Sequence, residues 1–477
     1  MKKILAIALV LTMLVTLLTA CNTATPSAST PGSNPGKSTE KPDDGGPPPE
    51  IPEDTGTVLR IYAWNTEFQD RFNGYFLKND EDGNPTSGLL PEGVTVEWVI
   101  TPNEGNAYQD KLDTDLPRNE GSSNPIDIFL IEADYALKYI DSPYALDVIK
   151  DVGLTAADLS GQYQYTKDIV TDSSGAMRGT TWQACPGLYA YRRSIAIDLL
   201  GSDDPAVVQA AISDWDKFDN VAEQAAAKGY KMLSGFDDSY RTFANNKSAP
   251  WVNADNEIIV DPNLMRWVEQ TKTYTDKGYN NKTALWASEW TRDQGPEGDV
   301  FGFFYSTWGI NWTLMGNSLA DPDGPQEVGN GIYGDWAVCE GPMNYYWGGT
   351  WICAAAGSDN LNLVRQVMKT LTCDADTMKQ ITLDTLDYTN NKAGMDAIAA
   401  DPSYGSDFLS GQNHIAMFNL SAPGIDMSMA SPYDQGLTEG FQRAFSDYFN
   451  GTIDLDTALD NFYADAVVIY PELTRPG

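Results

Sequence analysis

Histidine is almost absent from this chain: His414 is the only one in 477 residues. A multi-histidine metal centre therefore has no ligands, and a Ser-His-Asp or Cys-His nucleophile has a single candidate base. No Gly-x-Ser-x-Gly turn and no His-Glu-x-x-His helix accompanies it. His414 reads as a structural or surface residue. Cysteine is scarce as well, with five residues and no Cys-x-x-Cys, so zinc and thioredoxin-like redox sites have no support. Positive charge is the third shortage. Lys and Arg total 31 against 67 Asp and Glu, a formal net charge of -36. Like charge opposes association with nucleic acid or an anionic lipid surface. The acidity is spread along the chain, and solubility at a crowded cell surface accounts for it. What these shortages leave open is carboxylate chemistry, since glycoside hydrolysis needs only two Asp or Glu at the right separation.

What the chain does have begins at its first residue. Met1-Lys2-Lys3 is a short basic start, residues 4–18 are an uncharged apolar run, and Leu18-Thr19-Ala20-Cys21 has the spacing of a lipobox. A spanning helix needs about 20 apolar residues, so residues 1–20 read as a signal peptide and Cys21 as the lipidation site. A diacylglyceryl group supplies the two chains that stable anchoring requires. Residues 22–56 are Thr, Ser, Pro, Gly, Asn and acidic residues almost throughout. They cannot bury enough apolar surface to fold and read as a linker, with a reach of about 30–35 Å. The near-miss phosphate loop at Gly32 to Ser38 is one residue short and follows no strand. The acidic stretch from Asn79 to Gly83 lacks EF-hand spacing.

Residues 57–477 are long enough for two domains. Residues 57–64 (TVLRIYAW) and 94–100 (VTVEWVI) alternate as strands, and 126–131 (IDIFLI) suits a strand buried on both faces. Helical periodicity runs through 106–116, 215–228, 263–276, 360–371 and 440–449, with Ser213-Asp214 as a cap and Gly229 as a stop for the second. Strand and helix in alternation define an α/β protein. Four cysteines remain after lipidation: Cys185, Cys339, Cys353 and Cys373. A core of this size needs no disulfide. If one forms, Cys339 with Cys353 is the expected pair, because both flank what read as neighbouring strands.

The order of five stretches makes the chain resemble the extracellular solute-binding proteins of ATP-binding-cassette (ABC) importers, in particular the carbohydrate-binding group of the family 1 type. They are residues 126–140 (IDIFLIEADYALKYI), 177–195 (MRGTTWQACPGLYAYRRSI), 230–252 (YKMLSGFDDSYRTFANNKSAPWV), 300–314 (VFGFFYSTWGINWTL) and 345–356 (YYWGGTWICAAA). The resemblance implies a two-lobed periplasmic-binding-protein-like fold of type II, maltose-binding-protein-like, with a hinge that the chain crosses three times. Crossings are expected near Trp182-Gln183, near Trp351-Ile352 and at 424–429. Lobe 1 would then hold 57–183 with 353–423, and lobe 2 would hold 184–352 with 424–477.

Thirteen tryptophans and 24 tyrosines point to a sugar, whose C–H face suits an aromatic platform and whose hydroxyl rim suits carboxylates and guanidinium groups. Trp64, Trp182, Trp308 and Trp347 are the candidate platforms; core packing is the competing reading for each. Trp308 and Trp347 lie in loops that match sugar-contact regions of the family. Asp237, Asp238 and Arg241 are candidate polar partners, with a local surface salt bridge as the alternative. Asn65 and Glu67 follow the first strand and Asp134 the third, where open α/β sheets bind ligands. Gly348 and Gly349 would let backbone N–H groups approach a hydroxyl, or would mark a tight turn. The expectation is a non-enzymatic, monomeric binding protein with no cofactor, no metal and no ATP site of its own. It would bind a neutral sugar outside the membrane and deliver it to separate ABC permease subunits. A surface-anchored glycoside hydrolase, a sensor or adhesion module, and a peptide or polyamine binder of the same fold are the alternatives.

Overall fold

The computed structural model describes residues 51–78 and 88–476. The expected signal peptide, Cys21, most of the expected linker, the Gly32 to Ser38 segment and the Asn79 to Gly83 stretch lie outside the described residues. The strands are β1 (Val58–Ala63), β2 (Thr95–Ile100), β3 (Ile128–Glu132), β4 (Thr180–Thr181), β5 (Gly187–Arg192), β6 (Gly302–Ser306), β7 (Trp336–Cys339) and β8 (Thr350–Ala354). They form two sheets, ordered β2-β1-β3-β8-β4 and β6-β5-β7. These are the centres of the two lobes. The two strands expected from alternation are β1 and β2 and the one expected from the apolar run is β3, each displaced by no more than two residues. β1 and β2 pair in parallel from Val58 opposite Thr95 to Ala63 opposite Ile100. β3 runs parallel to β1 on its other side, and its Ile128–Ile131 stretch is buried on both faces, which is why it reads as a continuous apolar run.

The helices end where their sequences say. Trp215–Ala227 opens on Asp214, whose carboxylate accepts the Lys217 N–H, and Pro262–Lys277 opens on Asp261 and stops at Gly278, φ +70°. The helix expected from residue 440 begins six residues earlier, as Asp434–Phe449, and packs on Pro262–Lys277 and on Leu455–Ile469.

Sheet membership moves two of the expected crossings. β8 pairs with β3 along its whole length, from Thr350 opposite Glu132 to Ala354 opposite Ile128. The second crossing therefore precedes Thr350, a short step before the position expected near Trp351-Ile352, and places residues 350–352 with the larger sheet. Residues 405–423, assigned by sequence to lobe 1, lie on the smaller sheet instead. Ser421 Oγ donates to the Gly187 carbonyl, Gln412 Nε2 to that of Val338 and Arg193 Nη2 to that of Leu409. The third passage lies near residues 386–391, ahead of 424–429, where Ala184 N–H donates to Tyr388 O and Asn390 N–H to Trp182 O. Each passage contains left-handed backbone: Cys185 at φ +47°, Gly348 at +82°, Gly349 at +117° and Leu386 at +61°.

The cysteine pairing is also corrected. Cys339 ends β7 in one sheet and Cys353 lies in β8 of the other, and Cys185, Cys339, Cys353 and Cys373 are all free thiols. His414 is buried at the start of the His414–Ser421 helix, with Nε2 3.1 Å from the Leu386 carbonyl oxygen, and burial pulls its pKa down to about 4.

Candidate ligand-binding cleft

Two sequence-predicted residues meet across the gap between the lobes. Asp134 follows β3, and Arg241 sits in the short helix Tyr240–Ala244. The guanidinium donates from Nη1 to Oδ1 and from Nη2 to Oδ2, both at 2.9 Å, the fork geometry that makes such pairs directional. Burial pushes the Asp134 carboxyl up, but the charge and hydrogen bonds of Arg241 outweigh it and hold the group below the usual carboxylate range. Glu132, whose carboxylate accepts the Asp134 N–H at 2.7 Å, is pushed the other way by burial and by the neighbouring Asp134 charge.

The pair borders a cavity of about 170 Å³, whose lining includes Asp134 and Leu137 from the larger-sheet lobe, Asp237 and Trp347 from the other, and Thr438 and Gln442 from the Asp434–Phe449 helix. Asp237 accepts a hydrogen bond from Gln442 Nε2 at 2.9 Å, and burial raises its pKa to about 6. Asp238 is committed inside its own lobe. It accepts the N–H groups of Ser234 and Gly235 and the Trp290 indole N–H. The alternative reading, a local pair between Arg241 and these aspartates, does not form; Arg241 bridges to Asp134 instead.

A cluster of aromatic rings packs behind Trp347, which lines the cavity. Trp347 lies parallel to Tyr305, with centroids 5.7 Å apart, and edge-to-face with Trp308 at 5.2 Å. The Arg241 guanidinium stands 5.1 Å from the Trp347 ring centre, a cation–π contact. These neighbours leave Trp347 only 8% exposed. Trp308 is half-buried, and its indole N–H donates to the Trp347 carbonyl at 2.9 Å. Gly348 makes that approach possible, since a Cβ there would stand 2.8 Å from Trp308 Nε1. The Gly349 carbonyl accepts the Ala133 N–H at 3.1 Å, so the two glycines serve a close turn between the lobes. Trp286 was not anticipated. It stacks on Trp308 at 6.1 Å and 24°, and its only sequence signal is a second tryptophan, Trp290, four residues on.

The residues after β1 form a separate group beside the hinge. Gln183 Nε2 donates to Glu67 Oε1 at 2.8 Å and to Asp387 Oδ2 at 3.0 Å, and Gln183 Oε1 accepts the Thr350 N–H. Thr307, following β6, donates to Asp387 Oδ1 at 2.7 Å. Side chains from both lobes and two crossings thus share one network. Burial of Glu67 raises its pKa to about 7, with Arg71 opposing the shift and Asp387 adding to it. Asn65 Oδ1 accepts the Glu67 N–H, and Trp64 is half-buried against the edges of Tyr108 and Tyr135. Trp182 is removed from any platform role in this conformation: it is wholly buried and stacks on Phe68 at 5.3 Å.

Two α/β lobes, a crossed hinge and a cleft bridged by polar side chains define a binding protein that holds its solute between domains. Residues 91–405 match the bacterial extracellular solute-binding proteins, and the chain belongs to that family. No curated protein matches it. Among solved structures it is similar to an extracellular solute-binding protein of family 1, with TM-score 0.69 and 17% identity over 86% of this chain and 99% of the other. It is also similar to the ABC-transporter-associated binding protein of B. animalis subsp. lactis Bl-04 in complex with β-1,6-galactobiose, at TM-score 0.61 and 17% identity over 88% and 100%. A third is maltose-bound MalE3 of T. maritima, at 0.60 and 13% over 86% and 99%. At these identities the likeness establishes the fold.

Proposed function

We propose that this protein captures a neutral mono- or oligosaccharide in the inter-lobe cleft and delivers it to a membrane permease driven by a separate ATPase, while lipidated Cys21 tethers it to the outer face of the membrane. The observation that carries the reading is the tryptophan cluster of Trp286, Trp308 and Trp347, whose Trp347 ring lies against Arg241 of the Arg241–Asp134 fork. A pyranose needs a flat apolar face for its C–H groups and charge-bearing hydrogen-bond partners for its hydroxyls. The two elements come mainly from one lobe, and Asp134 from the other, so a ligand held by both favours closure. Solved proteins of the same fold that carry maltose or β-1,6-galactobiose support the class of ligand.

Asp237, Asp434 and Glu439 line the same cleft, which makes an amine-bearing ligand the informative control. A thermal-shift screen of the full chain against mono-, di- and oligosaccharides, with peptides and polyamines alongside, tests the reading, because a ligand that binds only the folded state raises Tm. A selective shift with one sugar class and no hydrolysis of that sugar supports it. A shift with polyamines or peptides alone overturns the sugar assignment, and turnover of the sugar favours a hydrolase.

A further inference from the structure

Trp286 has φ +68°, in the left-handed region where an L side chain crowds its own backbone, and among the described residues it is the one aromatic residue with such a backbone. Its side chain is also 46% exposed. Strain and an uncovered indole both work against the stability of the protein on its own, and glycine at this position would relieve both. Residues held in sparsely populated backbone regions persist where the surrounding structure fixes them, and they concentrate at ligand sites.

The surroundings of Trp286 are those of a ligand site. Trp286 is outside the lining of the 170 Å³ cavity, but Leu285 before it and its ring neighbours Trp290 and Trp347 belong to that lining. Its indole stacks on Trp308, meets Trp290 edge-to-face at 5.1 Å and lies tilted on Trp347 at 5.9 Å. Three indoles thus support one ring and leave part of it open. The tryptophans expected to serve as platforms are less available. Trp347 is packed between neighbours at 8% exposure, and Trp182 has none.

We infer that Trp286 is the principal stacking platform of the cleft, displayed by its left-handed backbone so that a pyranose ring lies with its C–H face on the open indole; this rests on the carbohydrate reading above. A rigid, pre-set aromatic face binds without losing side-chain freedom on association, which is the advantage that offsets the strain.

The test compares the wild-type full chain with Trp286→Gly and Trp286→Phe, titrated calorimetrically with glucose, galactose, maltose, cellobiose and maltotriose. Trp286→Gly should melt at or above the wild-type temperature and bind the wild type's sugar about tenfold or more weakly. Trp286→Phe should keep most of the affinity but lose the change in tryptophan emission that sugar produces in the wild type. A Trp286→Gly variant with wild-type affinity overturns the platform alone. If that variant instead unfolds early, the emission change decides: its survival in Trp286→Phe overturns the platform. A wild type that binds none of these sugars overturns the carbohydrate reading and the pyranose platform with it.

Discussion

Arg241 and Asp134 lie 107 residues apart in sequence and are joined by two parallel hydrogen bonds of 2.9 Å. Because they follow strands of different sheets, the pair bridges the cleft between the lobes. Both side chains keep contact with water, at 28% and 48% exposure, so their attraction adds little to global stability. Arg241→Ala is expected to leave the unfolding free energy within about 1 kcal/mol of wild type. Ligand affinity should fall by about tenfold to a hundredfold, the usual scale for hydrogen bonds to charged groups. Chemical denaturation and calorimetry check the two halves separately, and small-angle scattering of the variant should show a more open molecule.

Glu67 gives the hinge network a pH dependence of definite sign. Its carboxyl holds a proton to about pH 7 when folded, against an ordinary value of 4.5. Below about 4.5 both states are protonated and the group has no effect. Between there and about 7 only the unfolded chain ionises, so stability falls as pH rises, and it levels off above 7. Glu67→Gln keeps an acceptor for Gln183 and removes the titration. A plot of Tm against pH should therefore fall less steeply for Glu67→Gln than for wild type through this window. Equal slopes would assign the buried proton elsewhere.

Trp182 belongs to the core. Trp182→Ala removes a wholly buried indole that stacks on Phe68 and should cost about 3–5 kcal/mol in a urea titration. A loss below about 1 kcal/mol would mean that the site is solvated.

Burial raises the pKa of every thiol among the described residues, to about 12 for Cys339 and about 11 for Cys373 and upward for Cys185 and Cys353. Thiolate is the reactive form. A thiol reagent at pH 8 should label these four only slowly until denaturant is added, with half-exposed Cys373 first. Reductant should leave Tm unchanged; a drop of several degrees would indicate a disulfide.

Cys21→Ala should move the protein from the detergent phase to the aqueous phase in a detergent partition of whole cells, since one lipidated residue carries the proposed anchor. Retention in the detergent phase would point to another mode of attachment.

Much of this molecule was legible before its tertiary structure. Alternation marked β1 and β2, the short apolar run marked β3, and Asp214 and Gly229 bracketed a helix, because each signal is carried within a few residues. Asp134, Asp237 and Trp347 were placed near the cleft because ligand residues follow strand ends and loops. The domain assignment of residues 405–423 was not legible, nor was the separation of Cys339 from Cys353. Both depend on which sheet a segment joins, and that is set by contacts such as Ser421 to Gly187 that sequence spacing does not encode.

The sequence by itself determined β1, β2 and β3, the capped helix after Asp214, the strongly acidic net charge and the single histidine. Only the tertiary structure decided which tryptophans around the cleft are enclosed and which stay open. Trp182, Trp286 and Trp347 are alike as letters, yet one is enclosed by Phe68, one is packed by Tyr305 and Arg241, and one is displayed on strained backbone. The difference arises because exposure belongs to neighbours brought together from distant parts of the chain, whereas propensity and charge belong to each residue alone.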